Sequence, residues 1–587
     1  MSVQTRPDRR PPAGAPAREE RRRTVARPTP AGLGATFALL LCVGGGVWAF
    51  AELQLNVATV VDSAGNVRDF LERMLPLRFP PVGELLDLTW QTLAIVIAAT
   101  ALSVLLSVPL GLLAARNTTP GGSVRSASRA LIVLARAIPD VVFAIAAFRV
   151  FGLGAMTGVV AMGLHSVGMV GKLYADAFEE IDEGPRDALR AAGAGRLQQI
   201  AGAVLPQALP SLVATALHRL DINLRVSVVL GFVGVNGLGY ALSNAIARLD
   251  YQEAMGIALV VLLLCFAAEA VSGKIRRSLL REVAEAPRAG VLKRVVGGRV
   301  LGRRLAARTG ARRHEPVPAG PRGAGIRRRA SPPWDAGRVR RAVVTALTCA
   351  LVVASGVRAG ISPDALARGA ESLLPTIGDF LPPSTGGIGD MLLENLWITV
   401  QIALAGTLIG VVLALPLGAL AARNVVPSPA VAQFFRSLIL LVRGLPELVL
   451  AIVFVVVTGL GPVAGAFALG IGSVGLLGKL VADSLEEVDP GPARAVLATG
   501  AGRGQVFFTA VLPRAWPTVL AHLLYTLDVN IRSATLLGIV GAGGIGYDLL
   551  NAARVQQFDV VTVIVLMVLA VVLFVEGLAL WVRKVFA

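Results

Sequence analysis

Lys172-Leu-Tyr-Ala-Asp176-Ala-Phe-Glu179-Glu180-Ile-Asp182-Glu-Gly184-Pro185-Arg-Asp187-Ala188-Leu189 runs on through Gly193 to Leu205-Pro206, and it is the longest polar interruption inside a long apolar run. It occurs twice. The second copy reads Lys479-Leu-Val-Ala-Asp483-Ser-Leu-Glu486-Glu487-Val-Asp489 and continues through Gly491-Pro492 and Gly500 to Leu512-Pro513, every position offset by 307. Each copy follows a hydrophobic segment. The chain is therefore expected to leave a membrane here, form a short acidic helix and return at the Leu-Pro pair. A polar helical hairpin flanked by spans is a surface made for docking something soluble.

Working outward, the 587 residues are 55% hydrophobic and 16% charged. Apolar runs of about 20 residues recur, the length that crosses a bilayer as a helix. The net charge of +18 does not point to nucleic acid, because the basic residues gather in the first 27 residues and in Lys274–Arg341. The latter stretch holds twenty Lys and Arg against four Asp and Glu. Such loops belong in the cytoplasm if Lys and Arg set orientation. Cys42, Cys265 and Cys349 lie in apolar runs without metal-ligand or disulfide spacing.

The expected organisation is a disordered basic tail over 1–30, a first half over 31–275, a basic Pro- and Gly-rich linker over 276–340 facing anionic lipid head groups, and a second half over 341–587. The first apolar run, 33–52, also fits a cleavable leader ending at Ala49-Phe50-Ala51. A comparable run at 342–360 favours a retained span. Further apolar segments fall near 89–115, 130–151, 157–175, 210–235 and 253–275, with partners near 394–422, 437–458, 461–481, 517–541 and 560–582. Six spans per half place the N-terminus, the linker and Lys584 in the cytoplasm, and 53–86 and 362–390 outside.

At the same offset Trp90 pairs with Trp397, Thr92 with Thr399, Pro109 with Pro416, Arg116-Asn117 with Arg423-Asn424, and Glu269 with Glu576. The fold class is an all-α polytopic bundle of two tandem parallel repeats, related by an axis along the membrane normal, with the substrate path between them. Two ionisable clusters lie at lipid depth, where such residues mark function. Arg136-Ala-Ile-Pro139-Asp140 matches Arg443-Gly-Leu-Pro446-Glu447, and Asp221-Ile-Asn223-Leu-Arg225 matches Asp528-Val-Asn530-Ile-Arg532. Acid and base stand four apart, on one helix face, and can pair. Four pairs around one axis would offer guanidinium forks to an anion. Internally satisfied, they would only lock helices. Both readings stay open on the residues alone.

Asp187-Ala188-Leu, Gly193 and Leu205-Pro206 resemble the coupling-loop motif of ABC importer permeases. Gly171-Lys172-Leu-Tyr, Glu179-Glu180-Ile-Asp182-x-Gly184-Pro185 and the run from Asn530 to Gly546 resemble its phosphonate-type branch. Asp187 stands where Glu is usual, Arg494 replaces the acid in the second copy, and Ala203 and Ala510 replace Ile. The resemblance implies the type I importer permease fold in a bacterial inner membrane. It implies loops docked on a dimer of a cytoplasmic ATPase that uses ATP and Mg, an extracytoplasmic binding protein, and phosphonate or another small anion as cargo. No cofactor is expected on this chain. Gly171-Lys172 and Gly478-Lys479 are followed by Leu, and Ser166 and Ser473 stand five residues before those glycines. The phosphate-binding loop G-x-x-x-x-G-K-[ST] is therefore missing, and the four histidines share no ligand spacing. The alternatives are a permease for phosphite, phosphate or methionine, an ion-driven carrier using Asp140, Asp221, Glu269 and Glu576, or a scaffold without transport.

Overall fold

The computed structural model describes residues 30–54, 72, 74–285 and 336–586, so the basic tail and most of the linker lie outside the described residues. The first half comprises α1 (Pro30–Glu52), α2 (Val82–Ala114), α3 (Gly122–Ala137), α4 (Asp140–Phe151), α5 (Ala155–Glu179), α6 (Glu183–Ala191), α7 (Arg196–Gly231), α8 (Leu238–Ala247) and α9 (Tyr251–Glu285). The second comprises α10 (Ala336–Arg358), α11 (Pro363–Asp379), α12 (Gly389–Ala421), α13 (Pro429–Gly444), α14 (Glu447–Thr458), α15 (Pro462–Glu486), α16 (Pro490–Ala498), α17 (Arg503–Val540), α18 (Ile545–Arg554) and α19 (Phe558–Phe586). From α2 through α9, each helix begins 307 residues before its twin. Among the described residues, ten helices are long and apolar enough to span a bilayer, and up to twelve spans result when each bent pair, α3–α4 and α13–α14, is counted as one.

Those bent pairs correct one expectation. The apolar run at 130–151 is not a single straight helix; it turns by 92° between α3 and α4, and its twin turns by 83°. Pro139 and Pro446 supply the reason. Each lacks a backbone donor and forces the preceding residue out of the helical region. Ile138 and Leu445 accordingly adopt ψ of 125° and 124°. A gentler version occurs on re-entry from the loops. Pro206 and Pro513 follow five-residue π turns, Ile200–Val204 and Phe507–Val511. The wider turn relieves the clash of a proline ring with the carbonyl of the preceding turn.

The halves in sequence are not the halves in space. Helix α1 packs on α12, with Trp48 and Trp397 ring centroids 5.7 Å apart. Helix α10 packs on α2, and its Arg358 pairs with Asp87. Helix α11, within the stretch expected outside, rests on α4: Ser372 donates to the Val150 carbonyl at 3.2 Å, and Arg149 pairs with Asp379 at 2.8 Å. Each half thus lends its first helix to the other. The largest buried apolar cluster runs through both, from Ile95 and Val96 to Ile402 and Ala403.

Small residues let the bent pairs approach the central helices. A Cβ on Gly168 of α5 would sit 2.6 Å from the Arg136 backbone nitrogen, and one on Gly475 of α15 would sit 2.5 Å from the Arg443 Cα. This close backbone approach is a device of helix packing in lipid. It fixes where the arginines at the two breaks stand.

Candidate functional site

Each polar loop holds a short helix, as expected, but the helix is not acidic. Helix α16 has no acid, and α6 balances Glu183 and Asp187 with Arg186 and Arg190. The paired acids stand before the helix because they close its N-terminal side. Asp182 caps α6 by accepting from the Gly184 N–H at 3.0 Å, and Asp489 caps α16 through Gly491 at 3.0 Å. Gly193 and Gly500 end these helices at φ of +82° and +84°, a conformation that costs a side chain strain. No residue of either short helix is buried, and Asp187, Ala188 and Arg494 face outward. Glu180 and Glu487 are exposed as well.

Glu179 and Glu486 do something else. The Glu179 carboxylate accepts from the Arg116 N–H at 2.7 Å and from Arg129 at 2.9 Å. Glu486 accepts from the Arg423 N–H at 2.6 Å and pairs with Arg436 at 2.7 Å. Asn117 and Asn424 close the same joint by donating to the Phe178 and Leu485 carbonyls. These acids are turned inward, fastening the α2–α3 and α12–α13 turns to the ends of α5 and α15. Arg129 and Arg436 were legible as partners, since they too stand 307 apart.

The clefts beside the loops are alike in place and unlike in chemistry. A 240 Å³ cleft in the first half is lined by Asn117, Thr118, Arg186, Arg190 and Arg196. Its 560 Å³ counterpart replaces two of those arginines by Ala493 and Leu497, and Ile200 by Phe507.

At lipid depth, one of the four expected Arg–acid pairs forms: Arg532 donates to Asp528 at 2.7 Å. Arg136 and Asp140 do not meet, nor do Arg443 and Glu447, because the helix turns between them and residues four apart no longer share a face. Asp140 instead accepts from the Val141 N–H at 3.0 Å. Asp221 accepts from Ser272 at 2.9 Å, which leaves Arg225 to approach Glu269 at 3.7 Å. The stronger link crosses the halves. Arg136 of α3 pairs with Glu576 of α19, and Arg443 of α13 approaches Glu269 of α9 at 3.9 Å. Arg532 also donates to the Arg136 carbonyl across the same boundary at 3.0 Å.

Asn223 and Asn530 hold helices together within each half. Asn223, fully buried, donates to Thr100 at 3.0 Å and accepts from Ser166 at 3.1 Å. Asn530 does the same with Thr407 at 2.9 Å and Ser473 at 3.1 Å. Thr100 and Thr407 are not singled out by the sequence reading, and Ser166 and Ser473 enter it only beside the missing phosphate-binding loop, although the offset of 307 picks out all four.

Between the halves, on the loop side, lies a cavity of 340 Å³. Arg129, Arg136, Lys172 and Arg583 line it together with Asp176, Asp528 and Glu576. Among the described residues, no group of three or more His, Cys, Asp or Glu is arranged to hold a metal ion.

Two stretches, residues 107–281 and 414–585, match the family described as binding-protein-dependent transport system inner membrane component. The chain belongs to that family. It is a multi-pass inner-membrane permease of an ABC importer, with the family fold present twice, and it is not an enzyme. The permease is 40% identical over 528 residues to the phosphate-import permease protein PhnE of Mycolicibacterium smegmatis, covering 89% of this chain and 90% of that one. It is 37% identical over 223 residues to the phosphite transport system permease protein PtxC of Stutzerimonas stutzeri, covering 38% of this chain and 81% of that one. It is also 37% identical over 119 residues to PhnE2 of Escherichia coli K12, named as a cryptic phosphonate transport system permease protein, covering 20% of this chain and 98% of that one.

Proposed function

We propose that this permease carries a small phosphorus oxyanion, phosphonate first among them, between its two halves into the cytoplasm. The observation that carries the reading is the cross-half cavity with Arg129, Arg136, Lys172 and Arg583 in its wall. Guanidinium forks suit a tetrahedral oxyanion because each donates two parallel hydrogen bonds. The names of the relatives, phosphate, phosphite and phosphonate carriers, support the same cargo class.

Energy comes from a separate cytoplasmic ATPase dimer, seated on the exposed loop helices around Asp187 and Arg494, which uses ATP and Mg. An extracytoplasmic binding protein delivers the cargo on the opposite side. The N-terminus, the linker and the C-terminus then face the cytoplasm, as the distribution of Lys and Arg requires. The test is uptake of methylphosphonate, inorganic phosphate and phosphite into proteoliposomes holding the permease with its ATPase and binding protein. ATP-dependent uptake of at least one is expected. Uptake that persists without the ATPase would show an ion-driven carrier instead.

A further inference from the structure

Arg219 lies on α7 inside the membrane bundle and is 3% exposed. Its Nε donates to the Ser166 hydroxyl at 2.7 Å, and one terminal nitrogen approaches the Met169 sulfur at 3.6 Å. The other terminal nitrogen, Nη2, is buried without a hydrogen-bond partner. No carboxylate among the described residues lies within ion-pair distance of it. The acidic group nearest to it is Asp140, on the far side of the α3–α4 break, and Tyr525 of the other half, which lines the cross-half cavity, also lies close.

An arginine so placed is costly. A buried cation is retained only where a charge or hydrogen bonds compensate it, and at membrane depth such a residue marks a functional path. Arg219 also breaks the repeat. Arg136, Lys172, Asp221, Arg225 and Glu269 all recur with like charge 307 residues on, whereas Arg219 is answered by Thr526. Thr526, fully buried, satisfies itself on the His522 carbonyl at 2.8 Å. Helix packing at this level therefore does not require a guanidinium. The first half carries one, held on one edge by Ser166 and free on the other.

We infer that Arg219 is the residue that grips the oxyanion in mid-passage, its unpartnered edge donating to the phosphoryl or phosphonyl oxygens. This deepens the cargo reading above and rests on it. It makes the path asymmetric, with the cargo bound to the first half and the second half closing over it.

The test uses the full chain with its ATPase and binding protein in proteoliposomes, supplied with inorganic phosphate, phosphite or methylphosphonate. Arg219→Met breaks no ion pair at contact distance, and paired with Asp140→Asn it leaves no buried acid uncompensated, so the double variant is expected to hold the thermal stability of the parent. Uptake should fall at least about tenfold, the scale of one charge-assisted hydrogen bond. Arg219→Lys keeps the charge without the fork and should restore only part of the rate, with a raised KM. Ser166→Ala, which loosens the held edge, should raise KM with a smaller effect on maximal rate. Parental KM and rate in Arg219→Met would overturn the inference. So would a lower melting temperature with unchanged KM, the mark of a purely helix-locking role. If the parent itself moves none of the three oxyanions, the cargo reading fails and the inference falls with it.

Discussion

Breaking the Arg136–Glu576 pair should weaken the union of the two halves, and the loss can be sized from the geometry. The arginine side chain is 28% exposed and the glutamate 13%. Stranding a fully buried charge costs about 3–5 kcal/mol. Arg136 opens on the cavity, where water shares the load, so each single change, Arg136→Gln or Glu576→Gln, should cost roughly 2–3 kcal/mol. The double variant removes both charges and keeps amides that can bond to each other. A coupling energy of about 1.5–3 kcal/mol is then expected, the range for a charge-assisted hydrogen bond. The twin site is different. Glu269 is shared between Arg443 at 3.9 Å and Arg225 at 3.7 Å, both beyond hydrogen-bond length. Coupling of Arg443 with Glu269 should stay below about 1 kcal/mol. Reversible unfolding of the purified chain in mixed micelles, run as two double-mutant cycles, gives both numbers. Strictly additive losses at Arg136 and Glu576 would refute the cross-half link.

The loop acids separate into two kinds. Charge reversal at exposed Glu180 and Glu487 should cut ATPase co-purification without loss of folded yield, whereas reversal at Glu179 and Glu486 should lower the yield itself by releasing the turns at Arg116 and Arg423. Equal yields for the two sets, read by size-exclusion chromatography, would show that the inward bonds do not matter. Gly475→Ala should destabilise by about 1–3 kcal/mol, because the new methyl meets the Arg443 backbone, which cannot step aside like a side chain. A parental melting temperature would contradict that packing. Asn223→Ala removes the bonds that tie α7 to Thr100 and Ser166, which keep the Val96 and Met162 carbonyls of their own helices, and should cost about 0.5–1.5 kcal/mol while the KM for uptake stays put. A single cysteine at Glu371, in a chain freed of its own thiols, should react with an impermeant reagent in intact cells, and one at Arg494 should not. The reverse pattern would invert the orientation.

How much of this was legible depended on whether a contact is local or shared. The repeat, the loops and their capping aspartates were readable because identical polar words at one offset leave little freedom. The breaks at Pro139 and Pro446 were half readable: the prolines forecast a weakened helix, but the size of the turn is set by how close Gly168 and Gly475 let the neighbouring helix come. The ion pairs were the least readable. Spacing by four predicts a partner on the same helix, and only Asp528 and Arg532 obey it. Arg136 and Glu576 lie 440 positions apart, and nothing in either segment names the other. Arg219 was not legible either, because the second half carries Thr526 in its place and no repeated word marks it.

The exchange of first helices has a consequence for how the molecule is made. Trp48 enters the bilayer early, yet its ring partner Trp397 follows 349 residues later in the chain. At a synthesis rate of roughly 5–20 residues per second, α1 waits about 20–70 s before α12 exists. A helix can afford such a wait in lipid, where its own backbone bonds are complete. The nascent first half, however, presents a bare flank on α2 until α10 arrives to cover it. Any chaperone of membrane insertion that attends this protein should be found against that flank, and it should leave when α10 enters the bilayer.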